Sequence, residues 1–396
     1  KVYISDVIIS GNTKTLDSVI RRNIYLYPGY LYSLTDKEDS INALKRTGYF
    51  DDVKIIEKRV DQNHIKIIVK VKEGLTGSLK AGISYNSYSK FGMDLSISEN
   101  NVFGSGQRVS LSFNKSSKNV TYNFDLLNPA VNDSKYSLET NIYKTSYTGY
   151  SYKSKKTGIS FTVGKSLTRF LREYMTYGYE SLHLTDIDTN VLNDYRNYSS
   201  KSYIVPSLIY NSTDDRFFPQ HGINAGISAT YAGIGGTQKF FKTNIFGKFF
   251  YSLDDKFEIM TILKYKFRFS YLNEIGYTPL NERFYLGGLT SIRGYDWGSV
   301  SPKDSNGNDI GGDIAFINSF EISVPVNLKK RMWLSAFIDN GSVGKNHSLN
   351  ITRSSYGISF NWISPLGPLD FTYALPINPK KDDELRKFEF SIGTSF

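Results

Sequence analysis

Two hydrophobic periods divide this chain of 396 residues. Up to Gly74, apolar side chains recur partly at helical spacing and partly in alternation, whereas past Gly74 the alternation continues alone. A strand with two different faces produces alternation, because successive side chains point to opposite sides. The pattern therefore predicts a small α/β domain over residues 1–74 and a mainly β domain over residues 75–396.

The N-terminal domain is predicted to contain a strand, two helices and two strands, in that order. We expect the second helix to begin near Thr35, since Glu38 three residues later completes a capping box, and to end at Gly48. A domain of this size suits either a platform that binds a partner at an exposed strand edge or a structural spacer. The predicted elements cover residues 2–9, 16–24, 35–47, 52–59 and 65–71.

The second domain is predicted to contain sixteen strands. In one of them Lys264, Lys266 and Arg268 share a face opposite a row of aromatic residues, and a face that charged is typical of a water-filled lumen. We therefore predict a 16-stranded antiparallel transmembrane β-barrel. The strands are predicted over residues 79–85, 90–99, 107–114, 119–126, 135–146, 150–164, 169–185, 200–212, 222–231, 240–252, 256–271, 313–325, 331–339, 353–361, 368–375 and 387–396.

Composition favours the barrel and excludes several other classes. The 30 Tyr and 26 Phe suit aromatic girdles, and no apolar run is long enough for a membrane-spanning helix. The absence of cysteine excludes a disulfide framework and a thiolate metal site. The net charge of +10 is scattered, which favours a basic lumen or anionic lipid head groups over nucleic acid. No signal peptide precedes the first strand, so we interpret the chain as mature or truncated.

The alternation stops in the segment 286–298, within a long loop predicted over residues 273–312. Arg293 lies there among glycines, which allow backbone shapes that other residues resist. If the loop folds back into the barrel, a buried arginine needs carboxylate partners, and the alternative is a solvated loop with an incidental arginine. The four glycines of the segment are Gly287, Gly288, Gly294 and Gly298.

Two carboxylates in the strands after the loop share the inward parity. Glu321 alternates with the apolar Phe320 and Ile322, and Asp339 follows the apolar Ile338 on the opposite face. We predict that both acids line the lumen and pair with Arg293. The alternative is that they are solvated lumen acids.

Several motifs resemble the Omp85 family of outer-membrane assembly and secretion barrels. The segment from Phe284 to Gly288, followed by Arg293-Gly294-Tyr295, is similar to the signature loop of that family. Residues 319–321 and 337–341 look like the strand motifs whose acids contact the loop arginine. The N-terminal domain is similar to the POTRA module that precedes the barrel. Further resemblance lies in residues 48–53, 76–85, 101–106, 365–376 and the aromatic C-terminus.

The resemblance implies an assembly factor in the outer membrane of a Gram-negative bacterium, with its POTRA domain in the periplasm. Such a protein folds and inserts β-barrel proteins through a lateral seam between its first and last strands. The implied partners are unfolded outer-membrane proteins, outer-membrane lipids and accessory lipoproteins at the POTRA domain, with no nucleic acid, cofactor or enzymatic activity. The residues expected at the seam are Gly77, Ser78, Gly82, Ser84, Ser391, Gly393 and Phe396.

Other functions are also considered. A two-partner secretion transporter of the same family would export an unfolded protein through the lumen, and a passive porin would not need the N-terminal domain. Enzyme sites are disfavoured, because residues 158–166 alternate like a strand instead of forming a phosphate loop. A calcium loop at Asp304 lacks the required glycine and glutamate, and the four histidines have no ligand spacing.

Overall fold

The computed structural model of the chain describes residues 1–149, 152–187, 196–215, 218–254, 260–364 and 367–393. These residues group into two compact units. One comprises Lys1–Lys80, Leu95–Ser112 and Asn123–Asn141. The other comprises Ala81–Asp94, Phe113–Tyr122 and the described residues from Ile142 onward.

The N-terminal residues form a three-stranded sheet packed against two helices. Strand β3 lies in the centre, parallel to β1 and antiparallel to β2. Ile20, Leu44 and Ile67 are fully buried and bring helices and sheet together in one apolar core. The elements are β1 (Tyr3–Ser10), α1 (Asp17–Arg21), α2 (Leu34–Thr47), β2 (Phe50–Arg59) and β3 (His64–Glu73).

The second helix begins at Leu34, one residue before the predicted start, and the predicted N-cap residue is wrong. Ser33, not Thr35, is the N-cap, and its hydroxyl accepts a hydrogen bond of 3.2 Å from the backbone N–H of Asp36. Ser33 has an extended backbone and Leu34 is already helical, so the N-cap lies two residues before Thr35. Gly48 ends the helix in the left-handed conformation, at φ +72°. In the described part of the chain, no helix is long and apolar enough to span a membrane.

The prediction of a 16-stranded antiparallel barrel is confirmed. The strands follow one another in chain order, and the last pairs with the first to close the barrel. They are β4 (Gly77–Asn86), β5 (Lys90–Val102), β6 (Gln107–Ser116), β7 (Asn119–Asn128), β8 (Tyr136–Thr148), β9 (Lys153–Ser166), β10 (Leu171–Thr185), β11 (Tyr198–Asn211), β12 (Gly222–Gly236), β13 (Phe240–Ser252), β14 (Ile262–Glu274), β16 (Ile314–Asn327), β17 (Met332–Gly344), β18 (Ile351–Ser364), β19 (Gly367–Ile377) and β21 (Phe388–Ile392).

Two short strands lie outside the barrel wall. Strand β15 (Gly294–Tyr295) belongs to the loop between β14 and β16, and it pairs with β20 (Leu385–Arg386), which immediately precedes β21. Parts of three predicted barrel strands, residues 150–151, 256–259 and 394–396, lie outside the described residues.

The turn after β5 packs on the N-terminal domain within the first compact unit. The carbonyl of Gly104 accepts a hydrogen bond of 3.0 Å from the N–H of Leu16, and the amide of Asn101 donates to the hydroxyl of Thr15 at 2.9 Å. Gly104 has φ +73°, and a Cβ there would lie 1.8 Å from the carbonyl oxygen of Lys14. The close approach of the two backbones therefore requires glycine.

Candidate functional site

The loop between β14 and β16 has its own apolar face, which packs on two barrel strands. Leu286, Ile292 and Tyr295 are buried and belong to one cluster with residues of β16 and β17. Gly341 of β17 makes room for it, because a Cβ there would lie 2.5 Å from the Cδ1 of Ile292. The loop therefore lies directly against this part of the wall, and its polar groups are positioned by that packing.

Arg293 is the centre of a buried ion-pair cluster. Its Nε and Nη2 atoms each donate a hydrogen bond of 2.7 Å to the carboxylate of Asp339, and its backbone N–H donates to the same carboxylate at 3.1 Å. Its Nη1 atom donates to Glu321 at 3.2 Å. Arg293 is 8 % exposed, Asp339 1 % and Glu321 5 %. A guanidinium fork bound to a planar carboxylate fixes orientation as well as charge.

Neutral side chains complete the surroundings of the guanidinium. Its carbon lies 3.3 Å from the centre of the Phe337 ring, and its Nη2 atom donates to the hydroxyl of Ser319 at 3.1 Å. That hydroxyl donates in turn to Asp339 at 2.7 Å. Ser319 faces Asp339 across the β16–β17 pair, so the strand register itself brings these partners together.

Lys264 is a second cation of the cluster that sequence reasoning did not assign. It faces Glu321 across the β14–β16 pair, and its ammonium donates to that carboxylate at 3.0 Å. The ammonium also lies 3.7 Å from the centre of the Phe218 ring, which stacks on Trp333. Alternation had placed Lys264 on the lumen face, but the register that sets it beside Glu321 could not be read from one sequence.

A further buried cluster, also missed, anchors the start of the loop. The carboxylate of Glu282 accepts hydrogen bonds of 2.5 Å from Lys201 of β11 and 3.3 Å from Lys242 of β13. Lys242 also donates to the Glu282 carbonyl at 2.8 Å, and Lys201 lies 3.3 Å from Glu180 of β10. Burial alone would raise the pKa of Glu282, but the two lysines outweigh it and hold that pKa below its ordinary value.

The glycines of the loop motif allow its backbone to reverse direction tightly. Gly287 has φ +111°, and a Cβ there would lie 2.1 Å from the carbonyl oxygen of Asp296. Gly288 donates its N–H to the carbonyl of Tyr295 at 2.9 Å. Gly294, at φ +92°, lies against Ala374 of β19, and Tyr295 is fully buried. The motif thus folds back on itself and presents Arg293 to the wall.

The seam between the first and last strands is short in the described part of the chain. Ser391 pairs with Asn86 and Ile392 with Tyr85. Strand β21 then ends, because Gly393 adopts φ +92° and donates its N–H to the carbonyl of Pro368 on β19 at 2.9 Å.

The other residues expected at the seam lie at different distances from it. A Cβ on Gly393 would lie 3.0 Å from the Cβ of Ser84, so these two are neighbours. Ser78 instead contacts β5, through a hydroxyl contact of 2.8 Å with Ser98. Gly77 and Gly82 also face β5, near Glu99 and Asp94. Phe396 lies outside the described residues. Across those that are described, no group of His, Cys, Asp and Glu has the arrangement of a metal site.

A closed transmembrane barrel, an N-terminal α/β domain and a loop arginine buried between wall carboxylates together define the class of Omp85-type outer-membrane barrels. Residues 101–396 match the Omp85 superfamily domain, and residues 2–74 match the POTRA family, described as a surface antigen variable number repeat. The chain belongs to the Omp85 superfamily. It is an outer-membrane protein with its POTRA domain in the periplasm.

Similar proteins include two curated relatives with the same name. The chain is 31 % identical to the outer membrane protein assembly factor BamA of Nitratidesulfovibrio vulgaris, over 100 % of this chain and 52 % of the relative. It is 26 % identical to BamA of Neisseria meningitidis serogroup B, over 100 % of this chain and 57 % of the relative. The chain therefore spans about half the length of the curated relatives it matches.

Solved structures agree with the fold. The crystal structure of BamA from Haemophilus ducreyi lacking POTRA domains 1-3 matches with a TM-score of 0.86 at 25 % identity, over 100 % of this chain and 85 % of that one. CdiB from Acinetobacter baumannii matches with a TM-score of 0.66 at 15 % identity, over 99 % of this chain and 73 % of that one. The second likeness concerns the fold alone.

Proposed function

We propose that this chain folds and inserts other β-barrel proteins into the outer membrane through a lateral seam between β4 and β21. The observation that carries the proposal is the contrast between two strand pairings. Strands β10 and β11 are joined at thirteen positions, whereas the described residues of β21 and β4 are joined at two. The names of the relatives, which are assembly factors, support the same function.

A short seam provides a physical route to insertion. Unpaired backbone groups are costly in hydrocarbon, so a barrel normally keeps every strand paired along its length. A seam with few bonds opens at a smaller cost than a pairing as long as that of β10 and β11. An opened β4 would then offer its N–H and C=O groups to an incoming chain, which adds to it as a strand. No covalent step is required.

In this proposal the loop keeps the lumen side of the barrel organised. Arg293, Glu321 and Asp339 hold the loop motif against β16 and β17, and the glycines at 287, 288 and 294 let it reverse there. The barrel domain, over residues 75–396, carries the insertion. The domain over residues 1–74 carries contacts with partners.

The proposed partners are unfolded outer-membrane proteins, outer-membrane lipids and accessory lipoproteins. Lipid contact is supported by the outward side chains of the wall, such as Phe320, Ile322 and Leu334, which are about 40 % exposed. In the N-terminal sheet, the segment at Gly29–Tyr32 hydrogen-bonds to Val2 and Ile4 and covers the start of the β1 edge. Strand β2 is the other edge of this sheet, and we propose it as the edge at which a lipoprotein segment binds.

A reversible crosslink across the seam tests the proposal. The chain has no cysteine, so Tyr85→Cys with Ile392→Cys introduces one oxidisable pair at facing positions. The matched control, Ile227→Cys with Ile245→Cys, crosslinks facing positions of β12 and β13 far from the seam. Both pairs are placed in the full-length protein in cells depleted of the native copy, and outer-membrane protein levels are measured with and without reductant.

We expect the seam crosslink to stop assembly until reductant is added, and the control crosslink to leave assembly unchanged. If the seam crosslink forms and assembly continues, insertion through the seam is wrong. Export of an unfolded protein through the lumen, the function of a two-partner secretion transporter, would then be the better account.

A further inference from the structure

Three segments meet at the end of the seam where β4 finishes. They are the turn after β4, with Ser87 and Tyr88, the short strand β20 before β21, and the strand β15 of the loop. Gly294 and Tyr295 pair with Arg386 and Leu385, and the N–H of Asp296 donates to the carbonyl of Glu384 at 2.8 Å. This is the extracellular end, because β4 starts at the periplasmic POTRA domain and finishes at Asn86.

One side chain connects all three segments. The guanidinium of Arg386 binds the carboxylate of Asp296 through two atoms, with Nε and Nη2 at 2.8 Å and 2.9 Å. Its remaining nitrogen, Nη1, donates to the carbonyl of Ser87 in the turn after β4. The Arg386 and Asp296 side chains are 24 % and 14 % exposed, so the pair is largely shielded from water.

Three further contacts lie beside Arg386. The ring of Trp297 stacks on the ring of Tyr88, with centroids 5.4 Å apart and planes 24° from parallel. The N–H of Ser87 donates to the carbonyl of Phe390 at 3.0 Å, and the N–H of Phe390 donates to the Ser87 hydroxyl at 2.9 Å. The loop is thus joined to the first strand as well as to the last, at the point where the backbone pairing of the seam begins.

We propose that Arg386 is a positioning residue that latches the extracellular end of the seam closed through the loop. The proposal rests on the function proposed above, since a latch matters only if the seam opens. Opening must separate the turn after β4 from β21, and it therefore breaks the Arg386–Ser87 bond. Arginine is required because one planar fork serves both the carboxylate and the carbonyl, and a lysine has a single nitrogen to share between them.

Distances between spin labels measure the latch directly. Cysteine replaces Ile83 on β4 and Tyr265 on β14, which are outward side chains 68 % and 40 % exposed, on opposite sides of the seam. A reference pair, Tyr265 with Tyr373 of β19, lies entirely on one side of it. The full chain is placed in nanodiscs of phosphatidylethanolamine and phosphatidylglycerol, and electron paramagnetic resonance gives the distance distributions.

Arg386→Gln is compared with Lys387→Gln, which removes a neighbouring exposed cation. We expect Arg386→Gln to broaden the distribution across the seam and shift it to longer distances, with the reference pair unchanged. Lys387→Gln should leave both distributions as in the parent. Identical distributions for Arg386→Gln and the parent would overturn the latch.

A second variant, Asp296→Asn, keeps the proposal testable if Arg386→Gln misfolds. Asp296→Asn removes the ion pair while its side-chain oxygen can still accept the N–H of Trp297. It should broaden the same distribution to a smaller degree, because the Arg386–Ser87 bond remains. If Arg386→Gln also broadens the distance distribution of the reference pair, the result for Asp296→Asn decides. A distribution across the seam in Asp296→Asn that equals that of the parent overturns the proposal. The distances do not depend on client insertion, so a failure of the latch is distinguished from a failure of insertion through the seam.

Discussion

The loop is fixed to the barrel at two places whose charges are reversed. At its start, the carboxylate of Glu282 enters a wall that supplies cations, Lys201 and Lys242 of β11 and β13. Further along, Arg293 enters a wall that supplies anions, Glu321 and Asp339 of β16 and β17. Opposite charges are thus matched at both anchors, which favours the observed docking of the loop over the reverse one.

The two anchors also differ in redundancy. Asp339 receives three hydrogen bonds from Arg293, whose side chain is its main cationic partner. In the Glu282 anchor, Lys201 keeps a second carboxylate, Glu180, at 3.3 Å. Removing the charge of Arg293 therefore leaves the buried Asp339 without its main cationic partner. Removing the charge of Glu282 leaves Lys201 paired with Glu180.

The largest effect is expected from Arg293→Ala. This change leaves two buried carboxylates without their guanidinium, and breaking a buried pair in this way costs about 3–5 kcal/mol. We expect the loop to leave the wall and the folded barrel to melt at a lower temperature. Proteolysis of the loop and heat-dependent electrophoretic migration measure the two effects.

Arg172→Ala is the control for that variant, because Arg172 is an exposed arginine of β10. It should melt as the parent does. Equal protease resistance of the loop in Arg293→Ala and the parent would show that the apolar contacts of Ile292 and Tyr295 hold the loop unaided.

Glu282→Gln should have a smaller effect. The amide still accepts a hydrogen bond, and Lys201 retains Glu180, so mainly Lys242 loses its counter-charge; we expect a cost of roughly 2 kcal/mol. Glu173→Gln, at an exposed position of β10, is the matched control. A loop more sensitive to protease in Glu282→Gln than in Arg293→Ala would reverse the order of the two anchors.

The Arg293 anchor was predictable from sequence, and the Glu282 anchor was not. Glu321 and Asp339 lie in strands with strict alternation, so their inward direction follows from the parity of their neighbours, and the family motif supplied the arginine. Glu282 ends a single 3₁₀ turn, Leu280–Glu282, which is too short to show a hydrophobic period that would give a direction. Its partners Lys201 and Lys242 are two of 48 basic residues, and which of them face the loop depends on how it folds.

The same distinction applies to the fold. The number of strands followed from alternation, because one face meets lipid and the other the lumen. The seam did not follow, since Gly393 alone does not indicate which residues of β4 lie beside it. Pairing of Ser391 with Asn86 places Ser84 near the seam and Ser78 further along β4.

Lys264→Met should have a modest effect within the Arg293 anchor. Glu321 keeps Arg293, and methionine preserves most of the buried volume and its contact with Phe218, so we expect a cost of about 1 kcal/mol. Thermal melting in the same migration assay measures it. A loss as large as that of Arg293→Ala would mean that Glu321 depends on the lysine more than on the arginine.

The smallest effect is expected from acid. The pKa of Glu282 in the folded protein lies below its ordinary value of 4.5, because Lys201 and Lys242 favour the ionised form over the burial that opposes it. A carboxyl group with a lowered pKa contributes stability that is complete above its unfolded value and is lost only as the pH falls towards the folded one. Protease resistance at the start of the loop should therefore be the same at pH 7.5 and pH 5.5. A loop that loosens at pH 5.5 in the parent but not in Glu282→Gln would mean that Glu282 protonates there, and that its lysines hold it less firmly than the distances indicate.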